Sequence, residues 1–152
     1  MQLKLLMTLR ADLRKPSDDI GSASLGHRMV AEVIEGSFEG DRLNGSVITP
    51  GADWVLLGND GVGQVDVRIT LKTDDDALIY VQYLGKLHFN EKVAAALAND
   101  GETEFGDTYF MTQPRFETGA DNYSWLNGIV AVAEGRLTST GVEYQVYECV
   151  PG

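Results

Sequence analysis

The sequence predicts a mainly β fold, an antiparallel barrel of about eight or nine strands with one short helix near residues 90–98. Three observations predict it. Most of the chain consists of short runs in which apolar and polar residues alternate, the period of a half-buried strand. Turn signals such as Pro50-Gly51, Asn59-Asp60-Gly61 and Ser139-Thr140-Gly141 separate these runs. Strands and helices do not alternate, which disfavours a parallel α/β sheet, and closing many antiparallel strands into a barrel removes exposed edges. A two-sheet sandwich is the competing architecture. A chain of 152 residues is the length of one ordinary domain, so residues 1–152 are expected to form a single barrel.

The first strand is expected at the N-terminus, where Leu3, Leu5, Met7 and Leu9 alternate with Gln2, Lys4, Thr8 and Arg10; a signal peptide would be solidly apolar there. Lys15 to Gly26 is polar and rich in Ser, Asp and Gly, and reads as a surface loop. Strands are then expected over Arg28–Phe38, Leu43–Thr49 and Trp54–Leu57, the last two divided by a turn at Pro50-Gly51. Two long strands, Gln64–Lys72 and Ala77–Leu87, flank the turn Thr73-Asp74-Asp75-Asp76. Asn90 can cap the one helix, which Val93 to Ala98 favour and Gly101 ends. Gly128–Leu137 and Val142–Cys149 form the last hairpin.

Composition excludes several function classes. Twelve Lys and Arg against 23 Asp and Glu give a net charge of −11, a field that repels a phosphate backbone, so nucleic acid is not an expected partner. Apolar stretches fall far short of the roughly 20 residues that cross a bilayer. The lone Cys149 has no disulfide partner within the chain and fits a cytoplasmic location. His27 and His88 are isolated, which predicts no metal site, and no glycine-rich phosphate loop or G-x-S-x-G motif is present, so no cofactor is expected and hydrolases and nucleotide-dependent enzymes are disfavoured.

Polar and aromatic residues gather in Pro114–Asn127, PRFETGADNYSWLN. Arg115 and Glu117 share strand parity with each other and with Tyr109, and Tyr123, Trp125 and Asn127 share parity among themselves. On Gln64–Lys72, Asp66 and Arg68 lie on the face opposite Val65, Val67, Ile69 and Leu71. Tyr80 and Tyr83 lie on opposite faces of the next strand, so one at most points inward; Tyr80 is favoured and Tyr83 is the alternative. Trp54 offers an aromatic wall, and Asp53 beside it points the other way. As catalytic groups, Asp66 or Glu117 would move a proton, Arg115 would stabilise an oxyanion, Arg68 would hold Asp66, and Tyr80 would donate a hydrogen bond. Trp54, Tyr83, Tyr109, Tyr123, Trp125 and Asn127 would bind the ligand. The bland alternative makes Asp66–Arg68 and Arg115–Glu117 surface ion pairs worth about 0–1 kcal/mol, and Trp54 a core residue.

GSFEGDRLNGSVITPGADWVLLGNDGVGQVDVRITLKTDDDALIYV (36–81) and YFMTQPRFETGADNYSWLNGIVAVAEG (109–135) resemble the family known as domain of unknown function 3237, over nearly the whole chain. The resemblance implies a single antiparallel barrel similar to the allene oxide cyclase and lipocalin type of cup. One fungal relative is linked to stereocontrolled ring closure, which implies cyclisation or isomerisation. The chain departs from the family pattern at Asp76, where a glycine completes the turn, and at Gln82 and Met111, where arginine is common. If those arginines bind an anion in relatives, the ligand here is more neutral or more apolar.

The resulting expectation is a cofactor-independent small-molecule enzyme, a cyclase, isomerase or related proton-transfer catalyst of lyase or hydroalkoxylation type, acting on an apolar or aromatic metabolite in the barrel interior. The alternatives are a non-catalytic binding protein for a hydrophobic small molecule and a barrel filled by its own side chains. Exposed aromatics and sheet edges permit a homo-oligomer.

Overall fold

A computed structural model describes residues 1–152. Its strands are β1 (Gln2–Leu13), β2 (Asp18–Ala23), β3 (Gly26–Glu39), β4 (Asn44–Leu57), β5 (Val62–Thr73), β6 (Leu78–His88), β7 (Phe110–Glu117), β8 (Val130–Leu137) and β9 (Gly141–Val150). They pair in the order β1-β9-β8-β7-β6-β5-β4-β3-β2, and β1 also pairs with β3, closing eight strands into an antiparallel barrel with β2 as an extra strand outside the ring. No helix is long and apolar enough to cross a membrane.

Alternation decides which face becomes the interior. Val65, Val67, Ile69 and Leu71 of β5 are at most 2% exposed, and Ile79, Val81 and Tyr83 of β6 join them. The Tyr83 and Tyr144 rings lie 5.2 Å apart edge to face, and Phe110 stands 5.3 Å from Tyr144. Since β7 and β8 separate β6 from β9 in the sheet, Tyr83 and Tyr144 can meet only across the lumen. The barrel is therefore packed with side chains, as an eight-stranded ring allows.

Both ends are closed. Helix α1 (Glu91–Asn99) starts at Asn90, whose side chain accepts the Val93 N–H, and buries Val93 and Ala96; its last turn lies beside Leu13, Leu137 and Gly141. At the opposite end a 3₁₀ segment, Asp121–Gly128, buries Leu126. Tyr123 Oη donates to Asp75 Oδ1 at 2.8 Å, tying this segment to the β5–β6 turn.

Three expectations about elements are corrected. The polar stretch before Gly26 contains β2, which hydrogen-bonds along β3 without needing an apolar face. Pro50-Gly51 is not a turn between strands but a bulge inside β4: the register shifts between Ile48 and Ala52 while β4 keeps β5 as its partner on both sides. The helix ends on Asp100, which itself adopts the left-handed conformation at φ +49°, one residue before Gly101. Asp76 likewise takes φ +69°, doing in the β5–β6 turn what a glycine does more cheaply.

Candidate functional site

A groove of about 820 Å³ runs over the face turned away from the lumen. Its origin lies in the row Val65–Gly85–Thr112–Ala133, which crosses β5, β6, β7 and β8 on the core side. Three of these four residues, Gly85, Thr112 and Ala133, are small, so little side-chain bulk stands beneath the strands along that row. A Cβ on Gly85 would sit 2.4 Å from the Met111 carbonyl oxygen and 2.6 Å from Thr112 Cγ2, so this close approach requires glycine. β7 and β8 pair only at Met111–Glu134 and Thr112–Ala133, the fewest paired positions of any two neighbouring strands in the ring.

The outward side chains of these strands line the groove. Gln64 and Asp66 come from β5, Leu84 and Lys86 from β6, Met111 and Gln113 from β7, and Val132 and Glu134 from β8. Trp54 and Arg28 form one margin, and Tyr109 and Tyr147 add aromatic surface. The result is an apolar trough carrying a few charged groups, the usual make-up of a small-molecule site. Lys86 Nζ donates to Gln64 Oε1, a neutral partner that holds the side chain over the trough. Tyr109 stacks on His88, ring centres 4.9 Å apart.

Trp54, Asp66 and Tyr109 are the sequence-predicted residues that line this groove. Arg68, Tyr80, Arg115 and Glu117 share its face but occupy the adjoining rows, Arg68–Gln82–Arg115 and Thr70–Tyr80–Glu117. The two expected ion pairs do not form: neither Asp66–Arg68 nor Arg115–Glu117 is among the salt bridges. Residues two apart on a strand stand about 7 Å from one another, and each side chain extends separately. The preference for Tyr80 as the inward tyrosine is reversed, because the register places Tyr83 opposite Val67 and both in the core. The expected position of the pocket is corrected too, from lumen to outer face.

Tyr123, Trp125 and Asn127 lie away from the groove, and strand parity does not apply to them because they sit on the 3₁₀ segment. Asn127 clamps the end of β7, its Oδ1 accepting the Thr118 N–H at 2.8 Å and its Nδ2 donating to the Thr118 carbonyl at 2.9 Å. Trp125 lies under the Arg42 guanidinium at 4.0 Å, and Arg42 in turn bonds Glu148. These groups close the barrel end. No three His, Cys, Asp or Glu side chains come together in a way that could hold a metal ion.

Sequence reasoning passed over Gln64, Lys86, Gln113 and Glu134. Gln64 shares the parity of Asp66 on β5, and Lys86 is its direct partner on β6, a pairing that only the register across the β5–β6 turn reveals. It also passed over the chemistry of Asp53, whose carboxyl turns into the lumen toward Tyr83 and Tyr144. Burial pushes that carboxyl up to about 7, against the Asp66 N–H that bonds it and with the help of the Asp66 charge. Burial likewise raises Tyr83 and Tyr144, and the Asp53 charge adds to both.

The chain matches, over residues 1–149, the family described as protein of unknown function (DUF3237). It belongs to that family. A UPF0311 protein of Rhodopseudomonas palustris is 27% identical over 148 residues, 97% of this chain and 96% of the relative. Another from Clostridium acetobutylicum is 30% identical, covering 79% of this chain and 74% of the relative. Among solved structures, a β-barrel-like protein of Acinetobacter baumannii superposes with a TM-score of 0.81 at 33% identity, covering 97% of this chain and 94% of the other. A Penicillium herquei structure described as an enzyme superposes with a TM-score of 0.69 at 17% identity, covering 97% and 92%. The DUF3237 barrel is thus a shared scaffold, and its shape alone does not specify chemistry.

Proposed function

We propose that this DUF3237 protein is a cofactor-independent enzyme that promotes cyclisation, isomerisation or a related proton transfer on a largely apolar or aromatic small molecule bound in the outer groove. The observation that carries this reading is the presence of Asp66, Lys86 and Glu134 in one apolar trough with Trp54, Tyr109 and Tyr147. Such reactions need a shaped surface, a proton acceptor and a donor placed where negative charge develops. In this scheme the aromatic groups seat the substrate, Asp66 takes a proton from it, and the Lys86 ammonium stabilises the resulting oxyanion. Arg68, Tyr80, Arg115 and Glu117, in the next two rows of the same face, engage polar groups at the far end of the substrate. The description of the Penicillium herquei neighbour as an enzyme is in keeping with catalysis on such a barrel.

The test is incubation of the purified protein with a panel of phenols bearing an alkene side chain, followed by mass spectrometry and chiral chromatography. A cyclised or isomerised product that forms only with protein is expected. Asp66→Asn and Lys86→Met should each lower its rate by about 10²–10⁴-fold, the usual contribution of such a group. Saturable binding with the ligand recovered unchanged would instead establish the carrier reading, which the open, wide groove also accommodates. Undiminished turnover in both variants would overturn the assigned roles.

A further inference from the structure

The β4–β5 ladder is interrupted beside the groove. Ala52–Arg68 and Asp53–Val67 pair, as do Leu56–Gln64 and Leu57–Gly63, but Trp54 and Val55 do not pair with Asp66 and Val65 between them. The interruption has no register shift, so it is not a bulge. Backbone groups released there find other partners. The Trp54 carbonyl accepts Arg28 Nη1 at 2.9 Å, and the Asp66 N–H donates to Asp53 Oδ1 at 3.1 Å. The residues on either side of the gap, Trp54 and Asp66, both line the groove, whereas Asp53 is on the lumen side.

We propose that Asp53 is a positioning residue: by accepting the Asp66 N–H across the gap in the β4–β5 ladder, it fixes from inside the barrel where the Asp66 carboxylate and the Trp54 indole stand in the groove. This inference rests on the reading of the groove as the functional site. An ordinary ladder bond would tie the Asp66 amide to a backbone carbonyl and leave no side chain in control of it. Here a carboxyl supplies the acceptor, and its strand register sets that carboxyl on the lumen side between Ala31 and Val67. The Tyr83 and Tyr144 rings pack edge to face on its inner side, and Ala31 of β3 and Val67 of β5 are its partners on the flanking strands. Burial keeps the carboxyl near the boundary between its neutral and charged forms, and an oxygen acceptor remains in either form.

The experiment compares wild type, Asp53→Asn and Asp53→Ala. Asparagine keeps an oxygen of the same shape as an acceptor, whereas alanine removes it. Amide hydrogen exchange at Asp66, read by NMR, is expected to speed up about tenfold in Asp53→Ala, the equivalent of one hydrogen bond. In Asp53→Asn it should stay within about threefold of wild type by the same relation. Exchange at Val81 and Val146, deep in the core, normalises for any general loss of stability. Binding of 2-naphthol, followed by isothermal titration calorimetry, should weaken in Asp53→Ala and recover in Asp53→Asn. Unchanged Asp66 exchange in Asp53→Ala, or equal acceleration in the Asn and Ala variants, would overturn the positioning role. A Trp54→Ala control separates the two readings: if it leaves naphthol binding intact while Asp53→Ala still frees the Asp66 amide, the groove assignment fails and the positioning contact stands.

Discussion

Replacing Asp53 by Asn should stabilise the barrel at alkaline pH and leave it nearly unaffected in mild acid. The native carboxyl is raised to about 7 by burial, against about 3.9 in an unfolded chain. The folded state therefore holds its proton more tightly, and the sign follows: between these values the folded form binds more protons, so stability falls as pH rises, levelling off above about 7. From pH 5 to pH 8 the change spans two of those pH units, about 2.7 kcal/mol at 1.36 kcal/mol each. Asp53 retains partial exposure, and solvent screening lowers the expected figure to about 1–2 kcal/mol. Near this chain length 1 kcal/mol moves Tm by about 2–4 °C, so Asp53→Asn should gain about 2–8 °C on wild type between pH 5 and pH 8. Asp75 and Asp107 are held below the usual carboxylate range by hydrogen bonds, and Glu143 by Arg136 and Arg10 against the opposing effect of burial. All three contribute below this window. Differential scanning calorimetry at four pH values reads the effect. A Tm difference that is the same at pH 5 and pH 8 would refute the argument.

Two further substitutions probe the groove floor and the barrel end. Gly85→Ala places a methyl against the Met111 carbonyl and Thr112 Cγ2, and should cost about 1–3 kcal/mol by overpacking while making the groove shallower; an unchanged urea midpoint would count against the close approach. Asn127→Ala removes both bonds to the Thr118 backbone and should cost about 1–3 kcal/mol, with faster amide exchange confined to the end of β7 and the 3₁₀ segment. Loss of ligand binding without loss of stability would return Asn127 to the site.

Where a strand buries one face, its residues announced it. Val65, Val67, Ile69 and Leu71 specified both β5 and its inner side, and Asn90 specified the start of α1. β2 was illegible because DDIGSA has no apolar periodicity; it owes its form to backbone bonds with β3. The β4 bulge read as a turn because Pro50-Gly51 suits either, and only the continued pairing with β5 decides. The choice between Tyr80 and Tyr83 depended on register across Asp74-Asp75-Asp76, which side-chain pattern does not determine. The groove was the least legible feature of all. It arises from small side chains at Gly85, Thr112 and Ala133, and a row assembled from four strands leaves no local pattern in any one of them. Asp66 was recognisable as a candidate by its type and parity; the unbonded ladder that frees its amide was not.

The two-rung pairing between β7 and β8 makes the groove floor the part of the ring with the fewest backbone rungs. A barrel resists deformation as a closed hoop, and a hoop yields where its rungs are fewest. Met111 and Glu134 face each other across that seam with their side chains outward, so both strands present a side chain to the groove at the same rung. A ligand spanning the two edges would bridge the closure of the ring where its own backbone pairing is thinnest.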